Sequence, residues 1–200
     1  MATEKRQLTT HDWAVTALAA MGQGGAAAVA IEPLAKRLGA TRGSFYWHFS
    51  SRGDLVRAAL ALWERRETED VIAWVEAMPG PRERLRALLL AALESTTGPA
   101  ADVELALQAS VDDPDVAEAL ARVTQRRLAY LADQFAALGH DPDGARERAV
   151  MSYSAFLGHA QLVHATPSLA PTGSALAGYA DRWIALLTDE ALVAAPDGAR

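Results

Sequence analysis

Apolar residues in this chain recur every three or four positions from Ala14 to Leu187, and no stretch alternates convincingly between apolar and polar. That spacing lays a stripe along a 3.6-residue helix and leaves no half-buried sheet to build. Alanine, leucine, glutamate and arginine dominate, all good helix formers, while β-branched residues are sparse. The fold expected is all-α, with about nine helices set apart by glycine and proline.

The punctuation places them. Thr9 with Asp12 makes a capping box for a first helix, which presents Ala14, Ala17, Leu18 and Met21 and stops at Gly22. A second helix spans 31–38 and ends at Gly39, where a left-handed residue carries no Cβ penalty. Thr41 caps a short third helix, 42–48. Ser51 with Asp54 opens a fourth, buried through Leu55, Val56, Ala59 and Leu62, which runs to about Met78 before Pro79-Gly80-Pro81 breaks it. Its middle, 64–70, is charged on every side and suits a bridge between packed regions. The boundary is therefore set there: a head of residues 1–66 and a body of 67–200. Five further helices are expected over 82–97, 101–111, 114–138, 141–165 and 173–194, followed by a frayed tail.

Half of the 200 residues are hydrophobic, enough for a sizeable core. The lack of cysteine excludes disulfides, cysteine metal sites and cysteine nucleophiles together. The N-terminal MATEKRQLTTHDW has no signal-like apolar region, and no apolar run approaches the roughly 18 residues of a spanning helix. A soluble cytoplasmic protein without membrane contact is expected. The charge is unevenly spread: residues 1–66 hold nine Lys/Arg against five Asp/Glu, and residues 67–200 hold ten against twenty. A basic head on an acidic body is what polyanion binding by one end requires.

Residues 30–49 read as helix, glycine turn, short helix. Leu34, Ala35 and Leu38 take the inner side of the first helix, and Phe45 and Phe49 that of the second. Arg42, Ser44, Tyr46, Trp47 and His48 are left outside, beside the small Thr41 and Gly43 that let a backbone approach closely. Arginine and serine can donate to bases or phosphates, and an indole edge suits a thymine methyl. No catalytic constellation competes with this reading, and neither enzyme nor cofactor is expected. Asp112, Asp113 and Asp115 are explained by capping at Pro114; His159 and His164 are five apart, wrong for two metal ligands on one helical side. Trp63 is assigned to the core.

In order and spacing, the first helix, the LAKRLGAT turn, FYWHF and the SSRGDL entry into helix four resemble the DNA-binding domain of the TetR family of bacterial transcriptional regulators. The resemblance covers about the first 65 residues. It implies phosphate contacts for Tyr46 and Arg52, and base-edge or groove positions for Thr41, Arg42, Gly43, Ser44, Trp47 and His48. Ala30, Glu32 and Pro33 depart from it, since the family usually opens the second helix with Ser or Thr. A homodimer is implied, its four-helix bundle built from the last two long helices. Tyr153, Phe156, Ala160, Tyr179, Trp183 and Leu187 are the expected contacts. A small-molecule effector is expected in the body, against Trp74, Phe135 and Met151 with Gln108 as a polar contact. Repression at a palindromic operator, relieved by that effector, is the implied function. An activator or ligand-independent regulator, or an all-helical enzyme or small-molecule carrier without DNA binding, is the alternative.

Overall fold

The computed structural model describes residues 7–188, and among them there is no strand. The helices are α1 (Thr10–Gly24), α2 (Ile31–Arg37), α3 (Arg42–Phe45), α4 (Arg52–Glu64), α5 (Asp70–Val75), α6 (Pro81–Ser95), α7 (Pro99–Gln108), α8 (Pro114–Ala137), α9 (Pro142–Ala165) and α10 (Leu176–Thr188). A π-helical turn, Arg65–Glu69, joins α4 to α5 without a break. The described helices are thus nine runs, as the pattern predicts. The expected extension of the last helix to about residue 194, and the tail after it, lie outside the described residues.

The predicted caps are present. The Thr9 hydroxyl accepts from Asp12 N at 3.2 Å while the Asp12 carboxylate accepts from Thr9 N at 2.8 Å. Ser51 Oγ accepts from Asp54 N, Asp141 Oδ1 from Asp143 N and Gly144 N, and Asp113 Oδ1 from Asp115 N. Boundaries shift where geometry overrules composition. Helix α1 passes Gly22 and ends at Gly25, whose φ of 64° only glycine adopts freely and whose N–H bonds Met21 O at 2.7 Å. Helix α3 ends at Phe45, not His48, and residues 46–48 continue as tight turns held by Trp47 N–H to Ser44 O and His48 N–H to Phe45 O.

The chain divides into two compact units: residues 1–68 with 99–123, and 69–98 with 124–200. In the first, α1 lies against α4 and α7. Trp13, Met21, Val29, Leu34, Phe45, Leu55, Leu60, Trp63 and Leu107 are all but fully buried, and Val116, Leu120 and Val123 complete the core. Each such side chain contributes roughly 1.5–3 kcal/mol by leaving water. The approach of α1 to the end of α7 is close: a Cβ on Gly25 would collide with the Ser110 hydroxyl. Arg57–Asp115 (3.4 Å) and Arg122–Glu64 (3.1 Å) link α4 to the start of α8, but as partly exposed pairs they contribute little.

In the second unit α10 packs on α6, around Leu85, Leu93, Phe135, Ala145, Ala180, Trp183 and Ile184. Arg86 makes a two-pronged bond to Asp181 at 2.5 and 3.2 Å. Arg148 is buried and donates to Leu187 O at 2.8 Å and Gly144 O at 3.2 Å. Its stem packs in the core while main-chain oxygens satisfy its head.

Candidate nucleic-acid interface

The turn between α2 and α3 is a Schellman motif. Ala40 N–H bonds Ala35 O at 2.8 Å and Gly39 N–H bonds Lys36 O at 3.2 Å, with Gly39 at φ 63°. Any side chain at 39 is strained there by roughly 1–2 kcal/mol, so Gly39→Ala should lower the unfolding midpoint of the first unit measurably. An unchanged midpoint would count against this account of the turn.

Phe45 fixes α3. It is fully buried, meets Trp13 edge-on (centroids 5.4 Å, 72°) and stacks on Phe49 (5.7 Å, 23°). With these two rings inside, Tyr46 (52% exposed) and Trp47 (88% exposed) are held outside, as their spacing implies. Thr41 caps α3 by accepting from Ser44 N at 3.2 Å. Thr41, Arg42 and Gly43 are exposed, and Ser44 and His48 are half-buried beside them. A Cβ on Gly43 would meet only ordinary contacts, so that glycine keeps the surface low without being required by strain. The eight positions expected at DNA thus form one outer strip along residues 41–52.

Two side chains carry partners that sequence alone does not reveal. Arg52 donates Nε to Val29 O at 2.7 Å and Nη2 to Ala26 O, bracing the start of α4 against the segment that precedes α2. Its guanidinium is therefore partly committed to main-chain carbonyls, and only the remaining donors are left for phosphate. Arg52→Ala should lower the stability of the first unit by about 1–3 kcal/mol, measured by urea unfolding, as well as weakening DNA binding. Unaltered stability would make it a surface residue alone. Arg42 lies 3.4 Å from the Glu32 carboxylate. Its pKa is pushed up first by the Tyr46 hydroxyl and then by Glu32, so one small cluster joins α2 to α3.

The positions expected in the body are not gathered into one place. Phe135 is core, Trp74 is half-exposed, and Met151 is exposed on α9. Gln108 belongs to the first unit and donates to Glu104 at 3.2 Å. Of the expected dimer contacts, Tyr153, Ala160, Trp183 and Leu187 are already buried and Phe156 and Tyr179 are partly buried within their own unit. The side of α9 that stays exposed runs through Val150, Met151, Ser154, Ala155, Gly158, Gln161 and Leu162, uncharged throughout. Helical periodicity marks both sides of such a helix alike, because alanine and glycine score on neither. His159 is buried, and burial alone pushes its pKa down; both ring nitrogens lack a hydrogen-bond partner, and Tyr179 packs on the ring at 5.5 Å. Trp63 lies in the core of the first unit, as assigned. Among the described residues no cluster could hold a metal ion, and no helix is long and apolar enough to cross a membrane.

Residues 15–59 match the family described as bacterial regulatory proteins, tetR family. The chain is 36% identical over 81 residues to the HTH-type transcriptional regulator AcrR of Shigella flexneri, a match covering 40% of this chain and only 38% of that protein. Its fold is similar to that of a transcriptional regulator from Rhodococcus sp. Rha1, with a TM-score of 0.76 at 20% identity over 90% of this chain and 96% of the other. It is also similar to AibR, solved with isovaleryl coenzyme A and operator DNA, with a TM-score of 0.64 at 19% identity over 90% and 97% of the two chains.

Proposed function

By its head the chain belongs to the TetR/AcrR family of transcriptional regulators, and on that premise we propose that it is a repressor, binding a palindromic operator as a homodimer and released by a small molecule. The observation that carries the reading is the pair Tyr46 and Trp47, exposed on a recognition helix anchored by Phe45 and Phe49. Two large rings in water have no structural use there, and they sit among donors of the right kind for a major groove. The basic balance of residues 1–66 favours the same partner.

DNA binding is assigned to residues 1–66, and effector binding and dimerisation to 67–200, in the cytoplasm. Tyr46 and the free donors of Arg52 take phosphates; Arg42, Trp47 and His48 enter the groove with Thr41, Gly43 and Ser44 beside them. The second copy is assigned to the exposed side of α9, Met151 to Leu162, with Gly178, Ala185 and Leu186 of α10. Small residues at 154, 155 and 158 let two helices approach closely. A ligand acts by preferring the body conformation whose head spacing misses successive major grooves, about 34 Å apart. That AibR was solved with an acyl coenzyme A and with operator DNA supports a ligand-responsive reading without naming this chain's effector.

A mobility-shift titration with the DNA upstream of the protein's own gene tests it. Affinity should fall with salt, and Tyr46→Phe should weaken every duplex about equally, because phosphate contacts position without specifying. Removing a phosphate contact should also flatten the slope of log affinity against log salt by about 0.9 per contact. Failure to shift any duplex at low salt would reject DNA binding. A wild-type salt slope in Tyr46→Phe would reject the phosphate assignment.

A further inference from the structure

The start of α2 is not built to hold phosphate. Its N-cap is Ala30, with no side-chain hydrogen bond, and Pro33 removes one of the first-turn N–H groups. Between them stands Glu32, whose carboxylate is 74% exposed and would repel a backbone phosphate. A negative group on a DNA-facing surface lowers affinity unless something there donates to it. Its partner in the structure is Arg42, also mostly exposed, at 3.4 Å across the α2–α3 turn.

In the major groove the base-edge donors are cytosine N4–H and adenine N6–H. An Arg–Glu pair held this close matches one base pair in particular. Guanine presents N7 and O6 side by side as acceptors, and the next atom along the groove edge is the cytosine N4–H donor, about 2.9 Å from O6. The order acceptor, acceptor, donor occurs in G·C; A·T interposes its donor between two acceptors. Arginine on N7 and O6, with glutamate on N4–H, keeps the two side chains in contact and leaves every charge paired.

Resting on the DNA-binding reading above, we propose that Glu32 and Arg42 act as one unit that reads a single G·C pair in each half-site, Arg42 taking the guanine and Glu32 the cytosine. Glu32 is then a specificity-determining residue. It lowers binding to every duplex that lacks a donor at that place, and so sharpens choice at the expense of raw affinity.

Full-length protein is first used to select duplexes from a random pool, then titrated against the selected operator and against one carrying N4-methylcytosine at the assigned pair. That base still pairs with guanine but has lost its major-groove N–H. The wild type should select a fixed, symmetric G·C pair and lose about ten- to a hundredfold on the methylated operator. Glu32→Ala should lose nothing on methylation, accept other pairs at that position, and bind unrelated duplex as well as or better than the wild type. Both residues are exposed, so thermal melts should be unchanged. Equal loss on methylation in Glu32→Ala and wild type, or a uniform weakening of Glu32→Ala on all duplexes, would overturn the proposal, the second by making Glu32 only a support for Arg42. Selection of no sequence by the wild type would overturn the DNA-binding reading itself, and this one with it.

Discussion

Gly158→Arg should give a soluble monomer at micromolar concentration that has lost a two-half-site operator. Gly158 is exposed on α9, and a Cβ there meets nothing within 4 Å of its own chain. The substitution therefore leaves the fold intact and puts a charged stem where the second copy is assigned. Losing the partner turns an effectively intramolecular second contact into an independent one, and affinity for the full operator should fall by roughly 10²–10⁴. Sedimentation at several concentrations reads the first effect and a mobility shift with one or two half-sites reads the second. A Gly158→Arg protein that stays dimeric would put the interface elsewhere. Trp183→Arg does not test the same point, because Trp183 is buried between Tyr179 and Ile184 and a charge there unfolds the second unit.

Phe45→Ala should unfold the DNA-binding head. Phe45 is fully buried and touches the rings of Trp13, Tyr46 and Phe49 at 5.1 to 5.7 Å. Truncating a phenylalanine of this kind costs about 3–5 kcal/mol, a large part of the 5–15 kcal/mol that holds an ordinary domain together. Amide exchange should show α1 to α4 losing protection while α9 and α10 keep theirs, with DNA binding lost at every salt concentration. Retained protection in α2 and α3 would mean that the turn, not the aromatic cluster, sets their geometry. Trp47→Ala is the natural contrast, because it removes an equally large ring from the same turn without touching the core.

The helices were legible because their stripes and caps are local: Thr9, Thr41, Ser51 and Asp141 each act within three residues of themselves. So was the division of α3 into Phe45 and Phe49 inside and Tyr46 and Trp47 outside, which four-residue spacing fixes. What sequence did not disclose depends on partners distant in the chain. Arg52 looks like a phosphate residue by position, yet two of its donors meet carbonyls 23 and 26 residues earlier. The π turn Arg65–Glu69 has no signature in a run of charged residues that fits an ordinary helix equally well. The sides of α9 were misjudged because its large apolar groups, Tyr153 and Phe156, pack inward in their own unit, whereas the side left open is marked only by small residues. Body positions such as Gln108 and Met151 share a pattern without sharing a place.

The first compact unit is made from two separated stretches of chain. Val103, Leu107, Val116, Leu120 and Val123 belong to the same core as Trp13 and Leu55. Exchange of the first 66 residues between related regulators, the obvious way to retarget one, is therefore not a clean graft. A transplanted head brings an α1 and α4 shaped for this α7 and the start of this α8, and meets foreign side chains in their stead. At Gly25 the fit is close enough that a host residue larger than Ser110 would press on the end of α1. Hybrids that carry residues 99–123 along with the head should be soluble and bind the donor's operator; those that do not should behave as if their recognition helix were mutated, although no residue in it has changed.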